Sequence, residues 1–561
     1  MNNNFLETLT FFDKVPFAPL IERDVFNILH SNLPEDKSNL TLEQKAELCA
    51  FQFSEFFPET ENISTHVSKE MLPYWENRIS EAKHPVIIAR YAGIIYDLTQ
   101  RLTDTKPSYL IAKKYIEALL DTIEFKLYKV AIYAVRKVTV ALKIAIALND
   151  DILINKTKAI ILTLESLIAE DDKPGLWGFS FDLLVLKKNK LLTVAEENKI
   201  IQDLEKRLSV VMMSDARAAE LLVQRLSLYY HKKQKPNEVD RTFNCLKTSF
   251  EYSMKNLPAI QKADYVERLI KLYKKLNLHK EVQASLVWLR EISKGTDSEM
   301  KSVSTTIDIP KDKIHDIVDK ILEGDTETIF TRIISVNTPK IQEAKKEINA
   351  MAQTTPISFL VSKGLMDKEG RKVATIGSLK DDPEANIVLQ ISQSISIGAF
   401  ALHFIFDEAI KREIFTPYEI MKFLRKSCVI EKDRFYIFEK GIEAYFDKNY
   451  LISIHLLIPQ FEQAIRKLIE INGGNVLVIK EDGYNLITFD KILNDPIVLK
   501  AIGEDTATYY KVLFTDKRGW NLRNTVAHGI HEASKFDKQT NERLLHAILS
   551  LGLIRMKEVL I

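Results

Sequence analysis

A chain of 561 residues exceeds one ordinary hydrophobic core, so roughly two to four domains are expected. Its 78 basic and 77 acidic residues leave a formal charge of +1, which excludes a global field toward nucleic acid or membrane; any such contact must be local. Glycine and proline number only 17 each while Leu, Ile, Lys, Glu and Ala dominate, a balance that favours helices.

The opening stretch MNNNFLETLTFF lacks the basic and apolar regions of a signal peptide, and no run of uncharged apolar residues approaches a membrane span. A soluble protein is expected. Cys49, Cys245 and Cys428 lie far apart with no C-x-x-C pair, which argues against a zinc module or a disulfide framework and fits a reducing cytoplasm. Residues 1–84 form an N-terminal helical segment in which Thr41 to Gln44 has the pattern of a capping box. Residues 85–350 carry apolar positions at three- and four-residue spacing broken by short polar stretches, the pattern of stacked helices, with a second capping box at Thr193 to Glu196. Within this region Gln224-Arg225-Leu226, Tyr230 and Glu238-Val239 recur as Glu267-Arg268-Leu269, Tyr273 and Glu281-Val282 at an offset of 43. That period suits a solenoid of helix pairs over roughly 85–300; a globular helical domain without true repeats is the alternative.

Five glycines fall in residues 1–350 and twelve in 351–561, which marks a boundary. Residues 351–389, with Pro356, Gly364, Asp367 to Gly370, Gly377 and Asp381-Asp382-Pro383, form an irregular connection. Residues 390–561 then return to helical periodicity, with a strongly apolar run Tyr450–Ile471 interrupted by Pro459 and a closing helix from Asn541 to Val559. Glu481-Asp482-Gly483 between two apolar runs signals a small β-hairpin insertion. The fold class is therefore all-α in the main: a helical-hairpin or solenoid-like N-terminal region and a C-terminal helical bundle.

The stretch from Asp516 to Gly529 places a permanent cation, an amide and a titratable imidazole within six residues: Arg523, Asn524 and His528. A guanidinium holds phosphate through parallel donors, and imidazole moves protons near neutral pH, so the three make a minimal phosphodiester-cleaving set. On one straight helix a spacing of five leaves the Arg523 and His528 side chains about 140° apart, so they need not share a face. Lys511, Lys517 and Arg518 with Arg523, against Asp516, make this stretch locally basic and are candidate RNA-binding residues. His531 and His546 lack metal-ligand spacing and are expected on the surface or in packing. No H-E-x-x-H, P-loop or G-x-G-x-x-G occurs, so neither metal nor nucleotide cofactor is expected.

These residues resemble the HEPN superfamily, whose signature is Arg, a polar residue and then His; Arg523, Asn524 and His528 match in order. The wider string with Gly519, Asn521-Leu522 and Ala527-His528-Gly529 is similar to a little-characterised bacterial branch, and the block Tyr445-Phe446 with His455 to Arg466 resembles its second hallmark. The match covers roughly residues 390–561; Trp75 to Arg78 and Ala89-Arg90-Tyr91 are only distantly similar to the N-terminal regions of such proteins. The resemblance implies a bundle that dimerises so that two copies of the motif face each other across an RNA-binding cleft, and a metal-independent ribonuclease in which the ribose 2′-OH attacks the adjacent phosphate. Carried over, the catalytic residues are His528 as general acid or base, Arg523 stabilising charge on phosphate and Asn524 orienting substrate or its neighbours, with Asn521 and Arg466 in support and Glu462 partnering the motif arginine. Glu462 and Arg466, one turn apart, are alternatively a plain intrahelical ion pair. The implied role is a toxin or phage-defence effector silenced or triggered through the N-terminal helices; the alternative is a non-catalytic scaffold whose bundle serves dimerisation or RNA binding.

Overall fold

The computed structural model describes residues 18–20, 22–32, 40–52, 67–186, 191–299, 311–367, 370–481 and 483–556. The first residues of the chain, residues 368–369 and 482, which carry turn signals in the sequence, and residues 557–559 of the closing run therefore lie outside the described part. The chain divides into two compact units, residues 1–292 and 293–561.

Among the described residues the first unit has helices and no strands, and its helices pack mainly on their sequence neighbours. Its three hydrophobic cores succeed one another along the chain, as expected of a solenoid-like stack. The repeat is visible in the helix boundaries. Helix Ala216–Lys232 and its partner Pro236–Met254 recur 43 residues later as Ala259–Lys275 and His279–Ser293. Leu226 and Leu269, and Val239 and Val282, occupy matching core positions. Both capping boxes form: Thr41 and Gln44 exchange side-chain and backbone bonds at 3.0 and 3.2 Å, and Thr193 and Glu196 do the same at 2.8 and 3.2 Å. The N-terminal segment does not stand apart as a domain of its own, because Val25, Phe51 and Trp75 share one core with Ile87 to Leu98. Within that core the fully buried Glu47 accepts from Tyr91, Tyr74 and Arg78 at 2.7, 2.7 and 3.2 Å, which joins the helices Leu42–Gln52, Met71–Glu81 and Pro85–Thr103 through one carboxylate.

The expected boundary at 350 falls inside the second unit. Val318, Ile329, Phe330 and Ile333, upstream of it, share a core with Phe406, Leu457 and Leu545, so helices Lys311–Ile321, Thr326–Asn337 and Ile341–Thr354 belong with the C-terminal bundle. The expected connection 351–389 is also structured. It holds an antiparallel β-hairpin, Lys363–Met366 with Lys372–Ile376, and the first turns of a 29-residue helix, Pro383–Lys411, opened by an Asp382 cap. Glycine and turn-forming residues marked a hairpin there rather than a gap between domains. By length and composition Pro383–Lys411 is long and apolar enough to cross a membrane, contrary to the expectation from sequence. One face of it, with Val388, Ile391, Leu402, Ile405 and Phe406, lies in the core of the second unit. The one hairpin expected from sequence is present, Leu477–Lys480 paired with Gly483–Leu486. Tyr450–Ile471 is a single helix with Pro459 inside it; proline cannot donate to the His455 carbonyl, yet the helix continues on both sides.

Helix Lys538–Leu551 is the centre of this unit. Every residue from Thr540 to Leu551 is buried, and it packs against helices Thr326–Asn337, Pro383–Lys411, Pro417–Leu424, Phe435–Phe446 and Tyr450–Ile471. A buried helix must satisfy its polar side chains internally. Arg543, 1% exposed, donates to the Asn337 carbonyl at the C-terminal end of one helix (3.2 Å) and to the Ile395 carbonyl of another (3.1 Å). Gly398 leaves space for it, since a Cβ there would stand 3.3 Å from the guanidinium. Asn541 bonds Ser453 and the Tyr450 carbonyl, Tyr510 bonds Ser550, and His546 bonds Tyr509 (2.9 Å) and the Ile334 carbonyl (3.3 Å).

Burial, with the Arg543 charge beside it, holds the His546 imidazole down to about 3 from its usual 6.5, against the pull of the backbone carbonyls. The folded state thus resists a proton that the unfolded chain accepts below pH 6.5, and stability complete above that pH erodes as the pH falls toward 3. Equilibrium unfolding across this range should show a pH slope in wild type that is flatter in His546→Gln by up to about 1.4 kcal/mol per pH unit.

Candidate functional site

The candidate site begins where helix Glu504–Phe514 ends. Asp516, 7% exposed, organises the next turn: its backbone N–H bonds the Lys511 carbonyl (2.8 Å), and its carboxylate accepts from the Arg518 backbone N–H (2.9 Å) and from the Arg518 guanidinium in a two-bond fork (2.9 and 2.6 Å). Burial raises the Asp516 pKa, but these bonds and the Arg518 charge outweigh it and hold the carboxyl below its ordinary range. Gly519 crosses the Val512 carbonyl so closely that a Cβ would lie 2.3 Å from that oxygen, and Trp520 N–H then bonds the same carbonyl at 2.9 Å. Asn521 turns the chain at φ 50°, in the left-handed region that Asn tolerates. Asn524 locks this turn by donating to Asn521 Oδ1 (2.8 Å) and to the Thr515 carbonyl (3.2 Å).

The signature residues therefore divide into two groups. Asp516, Arg518, Gly519, Asn521 and Asn524 build the turn, whereas Arg523 and His528 lie on the short helix Leu522–Ala527 and at its C-terminal end. Arg523, 31% exposed, donates Nε to Glu462 Oε2 (2.9 Å) and Nη1 to Asn524 Oδ1 (3.2 Å). Its Nη2 has no partner among the described residues. His528 is exposed, and its ring has no hydrogen-bond partner among the described residues. Gly529, at φ 67°, ends the helix, and the N–H groups of Ile530 and His531 close back on the Thr525 carbonyl.

Glu462 bonds two guanidinium groups. Its Oε1 accepts from Arg466 (2.7 Å) one turn along its own helix, while Oε2 accepts from Arg523 across the helix interface. Two guanidinium groups share one carboxylate, so their charge is not matched one for one. The expected RNA-binding cations do not form one open patch. Lys517 is exposed, Arg518 is held by Asp516, and Lys511 and Arg518 both stand 3.9 Å from Glu384. His546 is a buried packing residue. His531 is half-buried, with Nδ1 against Thr525 Oγ1 (3.1 Å) and Nε2 against the Lys535 carbonyl (3.3 Å), and burial lowers its pKa.

A second polar constellation was not foreseen from sequence. His403 stands with Nδ1 3.1 Å from Glu542 and Nε2 3.3 Å from Asp407, while Lys538 pairs with Asp407 and Tyr445 donates to Glu542. The ligand atoms of His403, Asp407 and Glu542 lie within 4.8 Å of one another, but the Lys538 ammonium already supplies a cation there. Burial raises the pKa of Glu542, which is 1% exposed. The spacing of four between His403 and Asp407 was a weak signal; Glu542, 135 residues beyond Asp407 in sequence, gave none.

No protein-family model and no curated protein matches the chain. Among solved structures it is similar to a circular tandem repeat protein with novel repeat topology and enhanced subunit contact surfaces, at 11% identity over 90% of this chain and 96% of that one. The TM-score is 0.16, which carries no weight for fold or function.

Two substitutions check this geometry by denaturant unfolding. Glu462→Gln leaves Arg466, 9% exposed, without its counter-charge and should cost about 3 kcal/mol. Gly519→Ala forces a methyl group against the Val512 carbonyl and should cost about 2 kcal/mol.

Proposed function

We propose that the second unit is a metal-independent endoribonuclease of HEPN type, acting at the Arg523–His528 segment. The observation that carries this reading is the separation of roles within the signature: five residues are spent on the turn, and of the two with phosphodiester chemistry Arg523 is half-buried against Glu462 with Nη2 unengaged among the described residues, while His528 is exposed with an unengaged ring. Arg523 Nη2 supplies a donor for a phosphate oxygen, and His528 supplies proton transfer. Lys517 is the exposed cation that meets the RNA backbone first. The site works as a pair, two copies of the bundle facing each other across the RNA, in a reducing cytoplasm where Cys49, Cys245 and Cys428 are free thiols. The stacked helix pairs of the first unit hold the trigger or regulator of a toxin or phage-defence effector.

A second reading is favoured by one observation. Helix Pro383–Lys411 leaves Ile397, Phe400 and Phe404 exposed on one stripe, 76%, 49% and 36%, so the unit also suits a scaffold that dimerises or binds a partner through that face. The two readings separate on His528→Ala with chelator present. The ribonuclease reading expects RNA cleavage and growth arrest to fall by about 100-fold or more with unfolding stability unchanged, because the ring is exposed. Equal cleavage by wild type and variant overturns it in favour of the scaffold.

A further inference from the structure

Helix Tyr450–Ile471 carries Glu462, which holds Arg523, and two turns earlier on the same stripe it carries His455. His455 is exposed. Its Nδ1 stands 2.8 Å from the Leu451 carbonyl, and a carbonyl only accepts, so in the neutral ring Nδ1 bears the proton and Nε2 the lone pair. Nε2 has no partner among the described residues. The ring is held in place by stacking on Phe536, with centroids 5.2 Å apart and planes 16° from parallel. Phe536 in turn meets the edge of His531 at 4.8 Å, and His531 is bonded to Thr525 in the motif helix. The segment from Arg523 to Phe536 is therefore tied to helix Tyr450–Ile471 at two points, Glu462 and His455, a span of about 10 Å at 1.5 Å per residue. His528 lies between those ties in chain order. Of the histidines in this segment and on the facing stripe, His531 has both nitrogens engaged, so His528 and His455 are the two with a ring nitrogen open to substrate. The titratable groups on the loop packed against His455 are His531, Glu532, Lys535 and Asp537.

We propose that His455 is the second proton-transfer residue of this site, the general base, and that His528 is the general acid; the inference rests on the ribonuclease reading above. His455 Nε2 takes the proton of the ribose 2′-OH as the 2′-oxygen bonds to phosphorus. The P–O5′ bond breaks with its electron pair moving to O5′, which takes the proton from protonated His528. The products are a 2′,3′-cyclic phosphate and a 5′-hydroxyl. His455 ends protonated and His528 neutral, and proton exchange with water resets both. Arg523 holds the charge on the non-bridging oxygens throughout.

The test uses the full chain, a mixed-sequence oligoribonucleotide, and a ribonucleoside 3′-aryl phosphate whose phenolate leaves without a proton. His455→Gln is expected to lose about 100-fold or more on both substrates. His528→Gln is expected to lose as much on RNA but to recover on the aryl ester. Undiminished RNA cleavage by both His455→Gln and His455→Ala overturns the inference and leaves the ribonuclease reading standing. Recovery of His455→Gln on the aryl ester overturns its assignment as base. A wild-type chain that cleaves neither substrate overturns both readings together.

Discussion

The second unit depends on how a polar helix is buried. Helix Lys538–Leu551 gives every face to the interior while carrying Asn541, Glu542, Arg543, His546 and Ser550. Each unsatisfied group would cost about 1–3 kcal/mol, so the surrounding helices must present partners at set positions. They present the Asn337, Ile395, Ile334 and Tyr450 carbonyls and the side chains of Ser453, Tyr509 and Tyr510. Tyr509 and Tyr510 lie on the helix whose end launches the Asp516 turn, and Ser453 lies on the helix that carries His455 and Glu462. The partners of the central helix thereby set the register of the two elements that frame the candidate site.

The site itself is built with short-range chemistry. Glycine passes a backbone carbonyl, asparagine takes positive φ, and an aspartate grips an arginine two residues away; Arg523 adds one bond to Asn524, and the His528 ring takes no part. The only anion on Arg523 among the described residues is Glu462, which also carries Arg466, so the arginine is oriented but its charge is not matched one for one. Such an arrangement fixes the guanidinium of Arg523 in one orientation while leaving Nη2 unengaged among the described residues.

Part of this was legible from sequence. The two capping boxes, the 43-residue repeat, the apolar run Tyr450–Ile471 and the Gly483 hairpin rest on interactions between residues a few positions apart, or on periodicity that burial imposes directly. The domain boundary was not legible. Glycine content rises after 350 with a β-hairpin and then with turns throughout the bundle, whereas the boundary at 292/293 is decided by which helices share a core, and Phe330 carries no mark showing that it will pack on Phe415 and Phe423. The local basic count around 511–523 also misled, because Asp516 and the distant Glu384 engage Arg518 and Lys511.

By itself the sequence determined that the chain is helical, that its first part repeats, and that Arg523, Asn524 and His528 sit together near the C-terminus, all of which arises from local spacing. The tertiary structure showed that Asn524 braces the turn, that Arg523 is half-buried and that His528 is exposed. It also brought Glu462 to Arg523 across 61 residues and His455 to Phe536 across 81. The physical reason is that hydrogen bonds and ring contacts between distant segments depend on how helices are packed side by side. That packing is set by the partners the buried central helix requires, not by the residues of the motif.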